Sequence, residues 1–374
     1  MTSDEIIFLA PLPAFRKRTR LAKMVKVFHG RGLRSTLLGW ERRSGELEVL
    51  RWEGDGVSEH TILRGGGYVS AKARAMYPLW MIVVFFTVLR LGKGKTLFCL
   101  GWETAFPARV AAMFTKARIV FDDADRFSML IRLPRLLKQL LVGLEKWTSR
   151  KSFLHVVPGW SRYEWRVPSM LLLRNTPLRE DFEAARIAAP PRLDVDLVIY
   201  VNGWINWDTG SPIFLKALDR LCEMKVNVVM HIAGRVVSES GEALIRHPNV
   251  IFHGELKQRE ALALYPASDI VLTYYDPVVA INPHAESNKW GDCIYFGTPF
   301  IVNEEVETAK HFAEAKAAWQ VPYQDADGLA SLLKKISERR DLLDSARRAL
   351  HTFRDAYPPY DVQLSEILTR LGIK

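Results

Sequence analysis

Short apolar runs alternate along the chain with longer segments in which apolar residues recur every three or four positions. The runs EIIFLA (5–10), TLFCL (96–100) and RIVF (118–121) are typical of buried β-strands. The segment 16–30 is typical of a helix, because its apolar residues fall on one face. Those residues are Leu21, Met24, Val25 and Phe28. This alternation of strands and helices predicts an α/β protein with doubly wound parallel sheets.

A proline-containing segment, AAPPRL at 188–193, interrupts this alternation, because adjacent prolines disfavour both helix and strand. Strands and helices alternate again after it. A chain of 374 residues also exceeds the size of one typical hydrophobic core. The sequence therefore predicts two Rossmann-like domains, 1–187 and 188–357. It also predicts a C-terminal helix, 358–374, that packs back on the first domain.

Composition narrows the class of protein. Hydrophobic residues make up 48% of the chain and charged residues 25%, which excludes a disordered chain and a coiled coil. The three cysteines, Cys99, Cys222 and Cys293, lie far apart, which excludes a disulfide framework and a cysteine-based zinc site. The longest apolar run, 75–89, is expected to be too short to cross a hydrocarbon core of about 30 Å. Without a secretory signal at the N-terminus, the protein is expected to be soluble or peripheral.

Charge is distributed unevenly between the two halves. The whole chain has a formal charge of +10, but residues 1–190 carry +15 and residues 191–374 carry −5. A basic half predicts an anionic partner, and nucleic acid, a phospholipid surface or a phosphate-bearing acceptor would each satisfy it. Solvation of the surface alone would also explain the charge.

The second half places candidate ligand-binding residues directly after predicted strands. Gly203 and Trp204 follow one strand, Gly234 and Arg235 follow the next, and Lys289 lies in the first turn of a predicted helix. Ligands bind beyond the carboxyl ends of parallel strands, and a helix N-terminus favours phosphate. Taken singly, the glycines could serve only tight turns and the cations only solvation. No GxxxxGK[ST] is present and no GxGxxG follows the first strand, which argues against a P-loop hydrolase and a dinucleotide dehydrogenase.

The segment 282–302, NPHAESNKWGDCIYFGTPFIV, is similar to the donor-binding segment of GT-B glycosyltransferases of family 4. In that family a Lys is followed three residues later by an acid and then by Gly-x-Pro. Lys289, Asp292, Gly297 and Pro299 stand in that order here. The segments HIAGRV, IVFDDAD and RNTP also resemble the family. The resemblance implies two Rossmann-like domains facing across a cleft, with a sugar nucleotide bound by the second domain and the acceptor by the first.

The same resemblance implies roles for individual residues. Lys289 would contact the donor diphosphate, Asp292 the ribose hydroxyls, and the backbone near Glu255 the base. Where the family usually has a Glu, this chain has His284, with Glu286 two residues later. Tyr274 makes it more similar to bacterial exopolysaccharide transferases of the glucuronosyl type, and retention and inversion both stay open. The donor-binding residues predicted in this way are Gly203, Trp204, Gly234, Arg235, Glu255, Tyr274, His284, Glu286, Asn288, Lys289 and Asp292.

The first half contains carboxylates that could deprotonate an acceptor hydroxyl. Asp125 and Asp122 follow a predicted strand and are the first candidates, and Glu103, after another strand, is the second. An inverting transferase needs such a base, although helix capping is an equally good interpretation for Asp122. The second half contains a DxD, Asp325-Ala326-Asp327, which precedes a helix and is more typical of a cap. We therefore expect no metal and no other cofactor.

A basic amphipathic helix over 132–147 combines Arg132, Arg135, Lys138 and Lys146 with six leucines. Such a helix can lie in an anionic membrane interface. The segment 77–80 could join that surface. The alternative is that these leucines belong to the core of the domain.

These observations favour a metal-independent, hexosyltransferase-type glycosyltransferase of bacterial surface polysaccharide synthesis, such as exopolysaccharide or lipopolysaccharide. A UDP-sugar is the favoured donor and a GDP-sugar the second. The acceptor would be a membrane-associated or lipid-linked glycan, and the protein would lie in the cytoplasm, peripheral to the inner face of the plasma membrane. Two alternatives stay open, an inactive transferase-like partner subunit and a nucleic-acid-binding protein. Against the second, no recognised nucleic-acid-binding module is present, and no nucleic-acid partner is expected.

Overall fold

The structure is a computed structural model that describes residues 5–68 and 71–373. It divides into two compact units. The first contains Met1–Arg174 and Asp361–Lys374, and the second contains Asn175–Tyr360. Each unit is a parallel β-sheet flanked by helices.

The sheet of the first unit has, within the described residues, seven strands in the order β3-β2-β1-β4-β5-β6-β7, and every pairing is parallel. Its strands are β1 (Glu5–Ala10), β2 (Arg34–Glu41), β3 (Val57–Arg64), β4 (Thr96–Leu100), β5 (Arg118–Asp122), β6 (Leu154–Val157) and β7 (Met170–Leu172). Its helices are α1 (Thr19–His29), α2 (Glu46–Leu50), α3 (Ala71–Leu91), α4 (Trp102–Thr115), α5 (Phe127–Leu130) and α6 (Arg135–Lys151).

The sheet of the second unit has six strands in its described part, in the order β10-β9-β8-β11-β12-β13, again all parallel. Its strands are β8 (Leu197–Ile205), β9 (Val228–Val236), β10 (Val250–Phe252), β11 (Ile270–Thr273), β12 (Phe300–Asn303) and β13 (Ala318–Val321). Its helices are α7 (Arg179–Ile187), α8 (Ser211–Glu223), α9 (Glu239–Ile245), α10 (Gln258–Ala263), α11 (Asn288–Phe296), α12 (Lys310–Glu314), α13 (Ala326–Glu338) and α14 (Arg340–His351). The last helix, α15 (Tyr360–Leu371), lies almost entirely in the first unit.

The predicted buried strands are confirmed. β1 and β4 are the runs EIIFLA and TLFCL, and nearly every residue in them is buried. Both faces of a parallel sheet are covered, so its strands form continuous apolar runs. In the first unit α3, α4 and α6 contribute Trp80, Trp102 and Leu141 to one core cluster with the strands. These helices therefore cover the same face of the sheet.

The strands predicted from the sequence differ from the structure in several places. β3 was not predicted, because its sequence VSEHTILR mixes polar and apolar residues at an edge of the sheet. The residues predicted to follow two strands, Gly203 with Trp204 and Gly234 with Arg235, lie inside β8 and β9, since these strands stay paired as far as Ile205 and Val236. Trp204 and Arg235 are therefore neighbours on adjacent strands.

The helix α7 belongs to the second unit, whereas the sequence placed residues up to 187 in the first domain. The physical reason is that α7 packs on α10, where Arg259 Nε lies 3.3 Å from Asp181 Oδ1. The prolines at 190–191 mark the link from α7 to β8 within one unit. The C-terminal residues fall in the first unit, where Gln363 accepts a 2.7 Å hydrogen bond from the Arg174 amide.

The helix α3 is longer than the apolar run suggested. Its 21 residues, Ala71–Leu91, make it long and apolar enough to cross a membrane, which corrects the expectation that this segment is too short. Length and composition alone do not separate a spanning helix from a core helix. In this helix Trp80, Val84 and Val88 are buried in the core, while Ile82 and Phe86 are more than half exposed. The sequence predicts a helix over 69–91, and the first two of these residues, Val69 and Ser70, lie outside the described residues.

A buried carboxylate anchors the second unit. Asp269 is fully buried beside β8 and accepts hydrogen bonds from Arg192, Arg340 and the Val198 amide. Burial acts to raise the pKa of Asp269, but these hydrogen bonds outweigh it and hold the pKa below its ordinary value. Asp269 therefore ties the link before β8 and the start of α14 to the sheet.

Replacing this anchor should destabilise the protein. Asp269→Asn removes the negative charge but leaves the three arginines that pair with it, so the free energy of unfolding at pH 7 should fall by roughly 2–4 kcal/mol. The carboxylate stabilises the fold above its unfolded pKa, so this difference should shrink as the pH falls below about 4. Chemical denaturation measures both effects. The matched control is Asp327→Asn, which removes an exposed ion pair with Arg220 and should leave the midpoint nearly unchanged.

Candidate active site

Two glycines bring β8 and β9 together at the carboxyl end of the second sheet. Gly203 and Gly234 are paired across the strands, and both have positive φ, +99° and +148°. A Cβ at Gly234 would lie 1.8 Å from the carbonyl oxygen of Gly203, which no side chain could tolerate. The glycines therefore leave the backbone bare at the edge where ligands of such sheets bind.

The side chain of Lys289 lies against this bare backbone. A Cβ built on Gly203 would be 3.7 Å from Lys289 Cε and 3.8 Å from its Nζ. Ser287 caps α11 by accepting a 3.2 Å hydrogen bond from the Lys289 amide, and Tyr275 donates a 2.6 Å hydrogen bond to the same hydroxyl. Lys289 Nζ also lies 5.6 Å from the centre of the Tyr275 ring.

No carboxylate in the described part of the chain forms an ion pair with Lys289. Its ammonium group adds a full positive charge to the partial charge at the N-terminus of α11. The free amides of the first turn can donate hydrogen bonds to the same ligand. Lys289, Asn288 and Gly203 can thus bind phosphate oxygens without displacing a protein carboxylate.

An exposed rim lies beside the two glycines. The ring of Trp204 is 61% exposed, and the Arg235 guanidinium lies 5.9 Å from its centre. Arg235 Nε is 4.0 Å from Glu255 Oε1, and both side chains are largely exposed, so this ion pair is weak. The structure therefore brings Trp204, Arg235 and Glu255 together, and each can still bind a ligand.

Asp292 lies within α11, and its side chain is buried rather than exposed at the N-terminus of the helix. The hydroxyl of Tyr265 donates a 3.2 Å hydrogen bond to Asp292 Oδ2, and Asn202 Nδ2 in turn donates to that hydroxyl over 3.2 Å. Asn202 Oδ1 is buried and has no hydrogen-bond partner among the described residues. The result is a polar network from the end of β8 to α11, with one free acceptor.

The remaining predicted donor residues, Tyr274, His284 and Glu286, have different surroundings. The Tyr274 ring is buried in the core, 5.1 Å from the Phe214 ring. His284 ends a short 3₁₀ helix, and the carbonyl of Glu286 accepts a 2.9 Å hydrogen bond from Asn175. The Tyr274 side chain therefore packs as a core residue, and the Glu286 backbone ties down the loop before α11.

The three predicted catalytic carboxylates have very different surroundings in the first unit. Asp122 is buried, and Arg20 donates to both of its oxygens over 2.8–3.1 Å. Asp125 is 41% exposed and lies 3.2 Å from Arg18 and 3.4 Å from Arg162. Both carboxylates are therefore engaged in ion pairs with arginines of the same unit.

Glu103 has no such partner. It lies in the first turn of α4, where its carboxylate packs against Gly101, and no other described residue donates a hydrogen bond to its oxygens. Burial raises the pKa of Glu103 to about 7. Asp123 adds to the rise, while Arg18 and Arg42 oppose it. A carboxylate with this pKa can accept and release a proton near neutral pH.

Asp123 supports this electrostatic environment. It is buried, and Tyr163 donates a 2.7 Å hydrogen bond to its Oδ2. Its Oδ1 has no partner within the residues that the structure describes. The capping alternative for this segment is not observed, since α5 begins at Phe127 without a side-chain cap.

Several residues of the site were not predicted from the sequence. Ser287 could have been found, because a Ser two residues before Lys289 is a normal N-cap position. Asn202 and Tyr265 lie far apart in sequence, and only the parallel sheet brings them together. The predicted role of Asp325 as a cap is confirmed, since its side chain accepts a 2.7 Å hydrogen bond from the Gly328 amide. Among the described residues, no group of three or more His, Cys, Asp or Glu side chains is arranged to hold a metal ion.

Residues 212–369 match a sequence family described as glycosyl transferase-like. This match covers most of the second unit and the C-terminal helix, which is less than half of the chain. No curated protein matches the sequence.

Solved structures resemble the chain over nearly its whole length. A glycosyltransferase from Rickettsia africae has a TM-score of 0.67 at 13% identity, covering 98% of this chain and 97% of that one. Anabaena HepE in complex with UDP-glucose has a TM-score of 0.66 at 12% identity, covering 98% and 99%. Sucrose-phosphate synthase from Thermosynechococcus elongatus has a TM-score of 0.64 at 12% identity, with the same coverage. At such identities the similarity establishes the fold, and the chain has the two-domain GT-B fold predicted from its sequence.

Proposed function

We propose that this protein is a glycosyltransferase that moves a sugar from a nucleotide-sugar donor, with a UDP-sugar favoured and a GDP-sugar second. One observation carries the proposal: Lys289, at the N-terminus of α11, lies against the bare backbone of Gly203 with no carboxylate partner among the described residues. The family match over residues 212–369 and the UDP-glucose bound to Anabaena HepE support the same assignment.

The second unit would bind the donor. Lys289 and the first amides of α11 would hold the diphosphate, and their positive charge would stabilise it as it leaves the sugar. Asp292 and the backbone near Glu255 would bind the ribose and the base. We expect this stabilisation to need neither a metal ion nor another cofactor, since the helix terminus and the lysine supply the charge.

The first unit would bind the acceptor and supply the base. Of the three predicted carboxylates, Glu103 suits this role best, because burial raises its pKa to about 7 and it forms no ion pair among the described residues, whereas Asp122 and Asp125 pair with arginines. Glu103 would remove the proton of the acceptor hydroxyl as the hydroxyl attacks the anomeric carbon of the sugar.

The acceptor would be a membrane-associated glycan, because the first unit exposes an apolar surface. The first half of α6 is exposed on every side, whereas in its second half Leu141 is buried in the core and Leu144 packs against it, as the alternative interpretation had them. Leu136 is 79% exposed, Leu137 52% and Leu140 61%. On α3, Phe86 is 62% exposed. The three exposed leucines are neighbours on one helix, and neighbouring exposed apolar side chains of this size mark an interaction surface.

The charges around these leucines fit an anionic membrane. Arg132, Arg135 and Lys138 are exposed beside them, and no described carboxylate pairs with any of the three. Leu133, Arg135, Lys138, Gln139 and Val142 line a shallow open depression on this helix. A basic helix with exposed leucines can lie in the interface of an anionic membrane, as on the cytoplasmic face of a bacterial plasma membrane. Synthesis of surface polysaccharide is the setting that this location favours.

The donor site predicts nucleotide-dependent stabilisation. UDP at about 100 times its dissociation constant should stabilise the fold by roughly 2.7 kcal/mol, visible as a rise in the melting temperature, and EDTA should not change this rise. Lys289→Ala should abolish the rise. The matched control Lys334→Ala removes an exposed lysine of α13 and should keep it. GDP, ADP and CMP in parallel identify the base. Equal stabilisation of Lys289→Ala and wild type would contradict the proposal.

Glu103 predicts two effects of pH. Transferase activity should rise with pH around an apparent pKa near 7, and Glu103→Gln should lower kcat roughly 100-fold or more, while Asp125→Asn should have a smaller effect. Because the folded protein holds this proton more tightly than the unfolded chain, ionisation of Glu103 destabilises the fold as the pH rises from about 4.5 through 7. Glu103→Gln should therefore melt higher than wild type at pH 8 and similarly at pH 4.5. An unchanged kcat would rule out Glu103 as the base.

The exposed leucines predict membrane binding. Wild type should sediment with vesicles containing phosphatidylglycerol more than with neutral vesicles, and less so at high salt. The triple variant Leu136→Ser, Leu137→Ser and Leu140→Ser should bind at least about tenfold more weakly, because its apolar area is gone. The matched control Val49→Ser, Ile187→Ser and Val278→Ser removes equally exposed apolar residues elsewhere and should bind as wild type. Similar binding of both triple variants would exclude α6 as the membrane surface.

A further inference from the structure

Arg42 is a buried cation at the carboxyl end of β2. The residue is only 7% exposed, and its guanidinium lies 4.0 Å from the centre of the Trp40 ring and 5.0 Å from that of Tyr77. It donates hydrogen bonds to the Tyr77 hydroxyl over 3.0 Å and to the Pro11 carbonyl over 3.4 Å. Aromatic faces and neutral acceptors thus hold the guanidinium in place.

What Arg42 lacks is a counter-charge. No carboxylate among residues 5–68 and 71–373 lies within ion-pair distance of it. The comparably buried arginines of the same unit differ in this respect, since Arg20 pairs with Asp122 at 2.8 Å and Arg126 with Glu145 at 3.1 Å. Burying an uncompensated charge is unfavourable, so the position of Arg42 suits a site that an anion completes.

A second group of contacts adds to this positive charge. The ring of Tyr68 is approached by Lys17 at 4.9 Å, by Arg43 at 5.3 Å and by Arg42 at 5.4 Å. Against these three cations the described residues place one carboxylate, Glu46, which pairs with Lys17 at 3.3 Å and accepts the Tyr68 hydroxyl. Arg42 and Arg43 therefore leave an unbalanced positive charge around Tyr68.

This cluster lies on the side of the sheet that carries Glu103. Arg42 follows β2, Glu103 follows β4, and the carboxyl ends of parallel strands open at one edge. Arg42 is close enough to Glu103 to act on it electrostatically. An anion at Arg42 would consequently lie on the same edge as the group that we assign as the base.

We propose that Arg42, Arg43 and Lys17 form a subsite for an anionic group of the acceptor, a phosphate or a carboxylate. The planar guanidinium fork suits either oxyanion, and the rings of Trp40 and Tyr77 fix its orientation. This inference rests on the proposed function in one respect, which is that the anion is identified as a group of the acceptor. The binding of the anion itself is independent of the donor site.

Calorimetric titration of the whole protein tests this subsite. Methyl phosphate and glucuronate are the two probes, each titrated in the presence of excess UDP so that phosphate groups do not occupy the donor site. At least one probe should bind the wild type, and comparison of the two identifies the oxyanion. Arg42→Gln should weaken that binding at least about tenfold, because a charge-assisted hydrogen bond is lost.

The matched control is Arg90→Gln, which removes an exposed arginine at the far end of α3. It should bind the probe as wild type does. If Arg42→Gln does not fold, the double variant Lys17→Gln, Arg43→Gln is titrated in its place, and it should also weaken probe binding. The inference is overturned if neither probe binds, if the folded variants bind as wild type, or if Arg90→Gln weakens binding equally.

The same titrations in Lys289→Ala separate this inference from the proposed function. Probe binding should persist in Lys289→Ala, and UDP binding should persist in Arg42→Gln. A wild type that binds the probe but none of UDP, GDP, ADP and CMP would leave the subsite standing and remove the glycosyltransferase proposal. Loss of probe binding in Lys289→Ala would show that the probe occupies the donor site, which overturns the subsite.

Discussion

The parallel direction of every strand pair is the constraint from which both candidate sites follow. When neighbouring strands run the same way, each must be followed by a crossover, so all segments after the strands open at one edge of the sheet. In the first unit this edge gathers Arg42 and Glu103, which are far apart in the chain. In the second it gathers Gly203 and Lys289 in the same way. In an antiparallel hairpin the segments that follow the two strands lie at opposite ends of the sheet, so neither pair would share an edge.

Charged side chains that form ion pairs stabilise the fold, whereas charged side chains without an ion pair are available to bind ligands or move protons. Asp122 is satisfied by Arg20, Glu145 by Arg126 and Asp269 by three arginines, so these groups hold elements together. Lys289, Arg42 and Glu103 lie at the ligand edges and form no ion pair among the described residues. An enzyme that must bind anions and move a proton needs such uncompensated groups, because a paired charge has to be released before it can act.

The sequence predicted the fold well where a local pattern carries it. The runs EIIFLA and TLFCL are buried strands because both faces of a parallel sheet are covered, and Asp325 is a cap because capping is a local geometry. It failed where the structure depends on a distant partner. β8 extends past Asn202 only because β9 pairs with it, and α7 belongs to the second unit only because α10 packs on it.

The candidate site residues also divide into those that a local pattern predicts and those that depend on distant partners. Lys289 was found because it begins a helix after a strand, whereas the sequence placed Asp125 and Asp122 ahead of Glu103 as candidate bases. Ranking needed the burial of Glu103 and the arginines on Asp122 and Asp125, which are properties of the packed unit. Arg42 had no local signal at all, since ERR at 41–43 is an ordinary charged sequence. Its significance comes from Trp40, Tyr77 and the absence of a described carboxylate.

The net charge of +15 over residues 1–190 indicated an anionic partner but not where it binds. Much of that charge is used within the unit, as at Arg20 and Arg126. Positive charge that is not paired within the unit stands out in two places. One is the exposed first half of α6 with its leucines, and the other is the cluster of Arg42 and Arg43 around Tyr68. A lipid-linked acceptor that carries a phosphate has both an apolar part and an anionic part. One acceptor of that class would account for both surfaces, whereas a soluble neutral glycan would account for neither.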